Sequence, residues 1–256
     1  AQDVLDLRVS KGSGNRAGVT ARSDPAIGSQ LGDFKILREL GRGGMGVVYE
    51  AHQTSLQRRV ALKVLPAHLT LNDRTVVRFR REAATAARLK HPGIVPVYAI
   101  GEQDGAHFFA MELGEGISLD RVLNELSGRQ PAQLTGEDLA QAMQAKGLDP
   151  SRWVTEDNRS YVKIAVELVS QIGEGLQFAH RAGVLHRDVK TSNILISEGR
   201  PMLCDFGIAK IVSGQTMTAT MGSGLTTDFA SPEVLRAFNQ GTALPNSRSS
   251  DMFSAG

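Results

Sequence analysis

The sequence predicts an α+β chain of two lobes, a small β-rich lobe followed by a larger helical one, and three observations predict it. Between Phe34 and Leu113, short β-branched and aromatic runs alternate with glycine-rich or polar turns. Beyond Gly116 the apolar residues change to helical spacing, clearest over Tyr161 to Ala182. A length of 256 residues, 41% apolar and 22% charged, suffices to bury one or two cores.

Residues 1–32 are rich in Gly, Ser, Arg and Asp without a sustained period and read as a flexible leader. The small lobe is set at residues 33–112. Its first strands are Phe34 to Leu40, Val47 to His52 and Val60 to Leu65, which form an antiparallel sheet. Asn72-Asp73 then caps a helix with Val76, Phe79, Ala83, Ala86 and Leu89 at helical spacing, ended by His91-Pro92-Gly93. Val95 to Gly101 and Ala106 to Leu113 add two more strands. In the larger lobe, residues 113–256, the Tyr161 to Ala182 helix is expected to bury one stripe of Val162, Ala165, Val166, Val169, Ile172 and Leu176 and to stop at Gly183. Residues 126–159 run longer than a simple connection needs. Within them Thr135 and Asp138 fit a capping box for a short helix that Gly147 ends. The stretch as a whole reads as a surface excursion.

The composition narrows the classes. A formal charge of +2 gives no field that would favour nucleic acid or an anionic membrane surface. One cysteine, Cys204, excludes an internal disulfide and fits a reducing compartment. No run approaches the length of a membrane-spanning helix. The chain reads as soluble and globular. It begins with Ala1 and ends with Gly256 inside an apparent motif, so a fragment open at both ends is expected.

Two segments carry chemistry. Asp188, Lys190 and Asn193 lie between the apolar runs Gly183-Val184-Leu185 and Ile194-Leu195-Ile196, and Asp205-Phe206-Gly207 follows. A loop held at both ends by hydrophobic anchors can present three polar groups to one spot. Each alone has a plain alternative: a surface acid, a turn asparagine, a loop cap. Further upstream, Gly41 to Val48 has the pattern Gly-x-Gly-x-x-Gly-x-Val. Dinucleotide-binding loops share that spacing, but there the glycines lead into a helix, whereas Val47-Val48-Tyr49 should continue as a strand. A glycine hairpin is therefore expected. Lys63, on the same strand face as Ala61 and Leu65, must be paired or lose its charge.

The run from His186 to Asn193 with the later Asp-Phe-Gly resembles the catalytic and magnesium-holding loops of protein kinases at every fixed position. Gly-Arg-Gly-Gly-Met-Gly-Val-Val-Tyr-Glu-Ala, from Gly41 to Ala51, is especially similar to the bacterial eukaryote-like (Hanks-type) serine/threonine protein kinases. The resemblance covers Phe34 to Gly256 and implies a two-lobed protein-kinase-like fold with nucleotide in the cleft, the larger lobe incomplete here. It also implies ATP-dependent phosphorylation of protein Ser and Thr, with ATP and Mg²⁺ as cofactors. The implied catalytic residues are Asp188, which takes or orients the hydroxyl proton, Lys190, Lys63 with its partner Glu82, and Thr226, which bridges Asp188 and Lys190. The nucleotide would meet Leu40, Gly41, Arg42, Gly43, Gly44, Met45, Gly46, Val48, Ala61, Lys63, Glu112, Leu113, Asn193, Leu195 and Asp205, and the metal Asn193 and Asp205.

Leu225 to Glu233 is similar to the family's substrate-cradling segment, with Leu225 in place of Gly and Phe229 in place of Tyr. Thr218 and Thr220 are expected to be autophosphorylated and to dock near Arg187. Ser250 to Gly256 resembles the start of a central helix, with Phe253 in place of Trp, and Asp251 would hold the catalytic loop from behind. As the family's later helices are missing, this piece is expected to be poorly stable or weakly active although its parent is active. The implied partners are protein substrates and a second copy for trans-autophosphorylation, with no nucleic acid and no membrane segment in this piece. The implied location is cytoplasmic, with the parent open to anchoring through a segment not present. Two alternatives share the pattern. A pseudokinase module would be favoured by loss of Lys63, Asp188 or Asp205, all of which are present. A small-molecule phosphotransferase is disfavoured by Ser231-Pro232-Glu233.

Overall fold

The structure is a computed structural model that describes residues 24–43, 46–65, 84–114, 116–155, 160–206, 229–240 and 247–256. The described residues form two compact units. One holds the chain up to Arg88 with Pro96–Leu113, and the other holds Leu89–Val95 with the described residues from Gly114 onward. Most of the expected leader, the helix from Asn72 to Ala83, Gly44, Met45, Glu82, Thr218, Thr220 and Thr226 lie outside the described residues.

The first unit is a six-stranded antiparallel sheet: β1 (Gln30–Leu31), β2 (Phe34–Gly43), β3 (Gly46–Gln53), β4 (Arg58–Val64), β5 (Val97–Gln103) and β6 (Ala106–Glu112), in the order β1-β2-β3-β4-β6-β5. Strand alternation sends Ile36, Tyr49, Ala51, Val60, Leu62, Val64, Phe108 and Ala110 into one cluster, because side chains two apart share a face. Phe34 and Phe108 close it edge to face at 5.8 Å between ring centroids. The strands begin and end within a few residues of their sequence-based bounds. A period of two over β-branched residues is a local signal that tertiary packing here reinforces.

The second unit contains α1 (Leu119–Leu123), α2 (Gly136–Ala145), α3 (Tyr161–Arg181), α4 (Pro232–Asn239) and α5 (Arg248–Ala255). It also has a small antiparallel sheet of β7 (Ile117–Ser118), β8 (Ile194–Ser197) and β9 (Arg200–Leu203), in that order. Helix α2 opens on the expected capping box: the Asp138 amide donates to Thr135 Oγ1 at 3.3 Å, and the Thr135 amide donates to Asp138 Oδ2 at 2.8 Å. It ends before Gly147, whose φ of 76° is left-handed.

Two expectations are corrected. In α3 the buried residues are Ile164, Ile172, Gly175, Leu176, Ala179 and His180, whereas Val162 is 63% and Val166 64% exposed. The helix carries two apolar stripes, and the partners α2, α5 and β9 select the one with the small residues. At Gly175 a Cβ would stand 3.1 Å from the Gly93 carbonyl and 3.2 Å from Leu203 Cδ1, so a side chain there would need its neighbours to give by a few tenths of an ångström, and glycine lets the helix pack closely against β9. The stretch 126–155 is more than a surface excursion. Leu126, Leu139, Ala142 and Met143 are buried, Trp153 is 1% exposed, and α2 packs on α1 and α3. Among the described residues no helix is long and apolar enough to cross a membrane.

Candidate active site

In the first unit, the β2–β3 hairpin pairs Gly41 with Val48, Arg42 with Val47 and Gly43 with Gly46. The glycines therefore join two strands, as Val47-Val48-Tyr49 required. They differ in what they do. Gly46 has φ 122°, and a Cβ there would lie 2.2 Å from the Val64 carbonyl oxygen, so no other residue fits without a shift. Among the described residues a Cβ at Gly41 or Gly43 would meet no atom within 4 Å, so their packing does not require glycine at either. Leu40 sits at a register shift in β2 and is exposed, as a bulge residue is. The Arg42 guanidinium is held by Glu39 at 2.8 Å and by Asp24, and these carboxylates keep it firmly protonated.

Val48 and Phe109 are the direct cross-strand neighbours of Lys63 in β4, and Glu50 and Met111 are those of Ala61. Val48, Ala61 and Lys63 consequently share the face opposite the Val60, Leu62 and Val64 cluster. Lys63 is only 6% exposed. Glu112 ends β6, and its Oε2 accepts from the Tyr98 hydroxyl at 3.0 Å. Tyr98 lies under the Arg58 guanidinium, 3.8 Å from its ring centroid. Leu113 follows, half-buried.

In the second unit the polar loop follows α3, which Gly183 ends at φ 78°. Asp188 is bracketed: Asn193 Nδ2 donates to its Oδ2 at 3.0 Å and its carbonyl at 2.8 Å, and Lys190 Nζ stands 3.3 Å from Oδ2. Asn193 is held in a 3-10 turn at Thr191–Asn193, where its amide donates to the Lys190 carbonyl at 2.9 Å. Its own carbonyl accepts from the Cys204 amide at 3.0 Å, which ties the loop to the residue before Asp205. Asp205 adopts φ 58°, left-handed and unusual for an aspartate, and Arg187 has φ 65°. Leu195 lies in β8, opposite Met202.

Buried Asp251 on α5 braces this loop, in the place the resemblance implied. Its Oδ2 accepts from the His186 amide and its Oδ1 from the Arg187 amide, each at 2.7 Å, and His180 Nε2 lies 2.8 Å from Oδ2. His186 is wholly buried and stacks on Phe206 at 4.6 Å between centroids. Burial pushes its pKa down, against the opposing pull of Asp251 and Asp188, and so favours the neutral ring. Its Nδ1 accepts from the Asp188 amide at 3.3 Å, which leaves Nε2 as the protonated nitrogen that donates to the Cys204 carbonyl at 3.0 Å. Sequence reasoning missed His180. The available signal was a histidine in the last turn of a helix that ends just before the loop.

Cys204 is half-buried. Ser231-Pro232-Glu233 opens α4, and the Ser250 hydroxyl donates to Glu233 Oε1 at 2.9 Å. The Glu233 backbone amide and the hydroxyls of Ser231 and Ser250 hold its carboxyl below the usual carboxylate range.

Residues 34–256 match the model of the protein kinase domain. The chain is 37% identical over 82% of its length to the serine/threonine-protein kinase PknD of Mycobacterium tuberculosis. It is 32% identical over 83% of its length to the probable serine/threonine-protein kinase PknB of Lactococcus lactis. It spans 27% of the length of PknD and 30% of that of PknB, so it corresponds to under a third of these curated relatives. The crystal structure of the Mycobacterium tuberculosis PknI kinase domain shares the fold, with a TM-score of 0.62 at 24% identity over 91% of this chain and 74% of that one.

Proposed function

The chain belongs to the protein kinase domain family, and from that premise we propose that it transfers the γ-phosphate of ATP to Ser or Thr hydroxyls of proteins. The observation that carries this reading is the bracketed carboxylate, Asp188 with Lys190 Nζ at 3.3 Å and Asn193 Nδ2 at 3.0 Å. A carboxylate so fixed can accept the hydroxyl proton as the new O–P bond forms and ADP leaves, while the lysine offsets charge on the transferring group. Lys190 in place of Ala or Arg speaks for an alcohol acceptor of the Ser/Thr type. Lys63, with Glu82, takes the α and β phosphates. Gly41 and Gly43, which packing leaves free to be larger, are glycine so that phosphate can approach the backbone. Leu40, Val48, Ala61, Glu112, Leu113 and Leu195 bound the nucleotide, and Thr226 links Asp188 to Lys190.

The donor set also suits Mg²⁺. Asn193 spends Nδ2 on Asp188, so Oδ1 is the atom it offers a cation, and Asp205 adds a carboxylate. Among the described residues no group of three or more His, Cys, Asp or Glu could hold a metal, and a magnesium held by Asn193, Asp205, phosphate oxygens and water asks for none. Bound there, the ion would supply charge neutralisation at the phosphates. The reading extends to autophosphorylation of Thr218 and Thr220 by a second copy and to a cytoplasmic catalytic domain.

The test is labelled ATP with the full-length parent and a generic protein acceptor, followed by phosphoamino-acid analysis. Label in phosphoserine or phosphothreonine is expected. Nucleotide binding with no label in any acceptor would instead mark a non-catalytic module.

A further inference from the structure

Asn193 and Asp205 are joined by one short piece of chain, the β8–β9 hairpin. β8 begins directly after Asn193, and β9 ends one residue before Cys204, whose amide bonds back to Asn193. The ladder from Ile194↔Leu203 to Ser197↔Arg200 therefore sets the separation of the two groups. The base of the hairpin is held from both sides. β7 pairs with Ser118↔Leu195 and Ile117↔Ile196, and Leu203 bonds with Gly93 and Val95.

At the tip, the two-residue turn Glu198-Gly199 is left-handed at both positions, φ 48° and 67°. Here the stretch 126–155 reaches in. A Cβ on Gly199 would stand 2.6 Å from Arg152 Cδ and 3.0 Å from Arg152 Cβ, so the arginine stem lies flat on the glycine backbone. Arg152 is itself exposed, and its stem covers the tip while its head stays in water. Its place is set by Trp153, the chain's single tryptophan, fully buried and with its amide bonded to the Pro150 carbonyl at 2.8 Å. An exposed side chain adds little to the core. It does limit where the hairpin tip can go.

We propose that residues 126–155 position the metal-holding pair Asn193 and Asp205, with Arg152 as the positioning residue that acts on them through the tip of the β8–β9 hairpin. This rests on the phosphoryl-transfer reading above. Mg²⁺ demands near-ideal octahedral geometry, so a small drift of a hairpin that carries two of its ligands is felt in affinity.

The experiment compares the full chain with Arg152→Ala. Hydrogen exchange of the Ile194–Leu203 amides is followed without nucleotide, and ATP binding is titrated against Mg²⁺ by calorimetry. Trp153 emission and the thermal midpoint report the fold. In the variant, exchange over the hairpin should quicken about tenfold and half-saturating Mg²⁺ should rise about tenfold, with the midpoint unmoved. Arg152→Lys keeps the aliphatic stem and should behave as the parent. Gly199→Asn tolerates a left-handed backbone but drives a Cβ into that stem, so it should reproduce both changes and serves if Arg152→Ala does not fold. Unchanged exchange and affinity in a folded variant overturn the proposal, as does a rise in exchange spread evenly over both units with a lowered midpoint. A parent that binds no magnesium nucleotide would defeat the phosphoryl-transfer reading instead, while the hairpin exchange would still decide whether Arg152 restrains the tip.

Discussion

The two units hold their candidate residues by different means. In the first, Val48, Ala61 and Lys63 share a face because strand alternation leaves them no other, with the β2–β3–β4 ladder as the support. In the second, Asp188, Lys190 and Asn193 sit on a loop with no ladder. Their positions come from hydrogen bonds: Asn193 to Asp188, His186 to Cys204, and Asp251 to two backbone amides. A sheet fixes direction through a repeating pattern that any apolar strand can supply. A loop needs particular polar partners, and those partners come from distant parts of the chain.

That contrast can be broken most sharply at the reacting carboxylate. Asp188→Asn keeps the shape of the bracket but cannot take a proton, and phosphoryl transfer should fall by a factor on the order of 10²–10³ or more while nucleotide binding survives. Transfer that stays near the parent's rate would remove Asp188 from its role. Next comes Asp251→Ala, which strands the His186 and Arg187 amides in a buried site. Stability of the helical unit should drop by about 3 kcal/mol, read as a lower urea midpoint, with activity lost alongside. If the midpoint holds, the loop does not depend on its brace and the comparison fails.

The ladder side is sharpened by two glycines. Gly46→Ala meets both a left-handed backbone and the Val64 carbonyl, so a loss of about 1–3 kcal/mol is expected. Gly43→Ala should leave stability unchanged and raise the KM for ATP, since no atom of the described residues crowds that position. Equal thermal melts for the two variants would refute the distinction. The smallest effect is a pH slope. Burial depresses the His186 pKa below its usual 6.5, so below that value the unfolded chain binds a proton that the folded one resists. Stability should then fall as pH drops from about 6.5, by up to about 1.4 kcal/mol per unit, and stay level above it. Thermal midpoints from pH 7.5 to 5.5 for the parent and His186→Gln check the sign, since the variant should lose this slope.

Much of this was readable in advance wherever the cause is local. The β2, β3 and β4 strands follow a period of two, the α2 start follows Thr135 and Asp138, and the glycine hairpin follows from Val47-Val48-Tyr49 continuing as a strand. The polar loop announced itself by the order of its residues. The His180 contact with Asp251 could not be read this way, because it joins residues 71 positions apart in the chain. The stripe chosen by α3 failed for the same reason. Val162 and Val166 are as apolar as Ile164 and Ile172, and only the neighbours distinguish them.

Amino-acid order alone therefore settled the strand faces of β2, β3 and β4 and the ends of α2 and α3, all of which depend on residues within a turn or two of each other. Tertiary structure decided which apolar stripe of α3 is buried, that Asp251 and His180 meet behind the loop, and that Arg152 lies on Gly199. Those outcomes are contacts between distant segments. Their free energy appears only when both sides are brought together, so neither side carries a pattern that foretells the other.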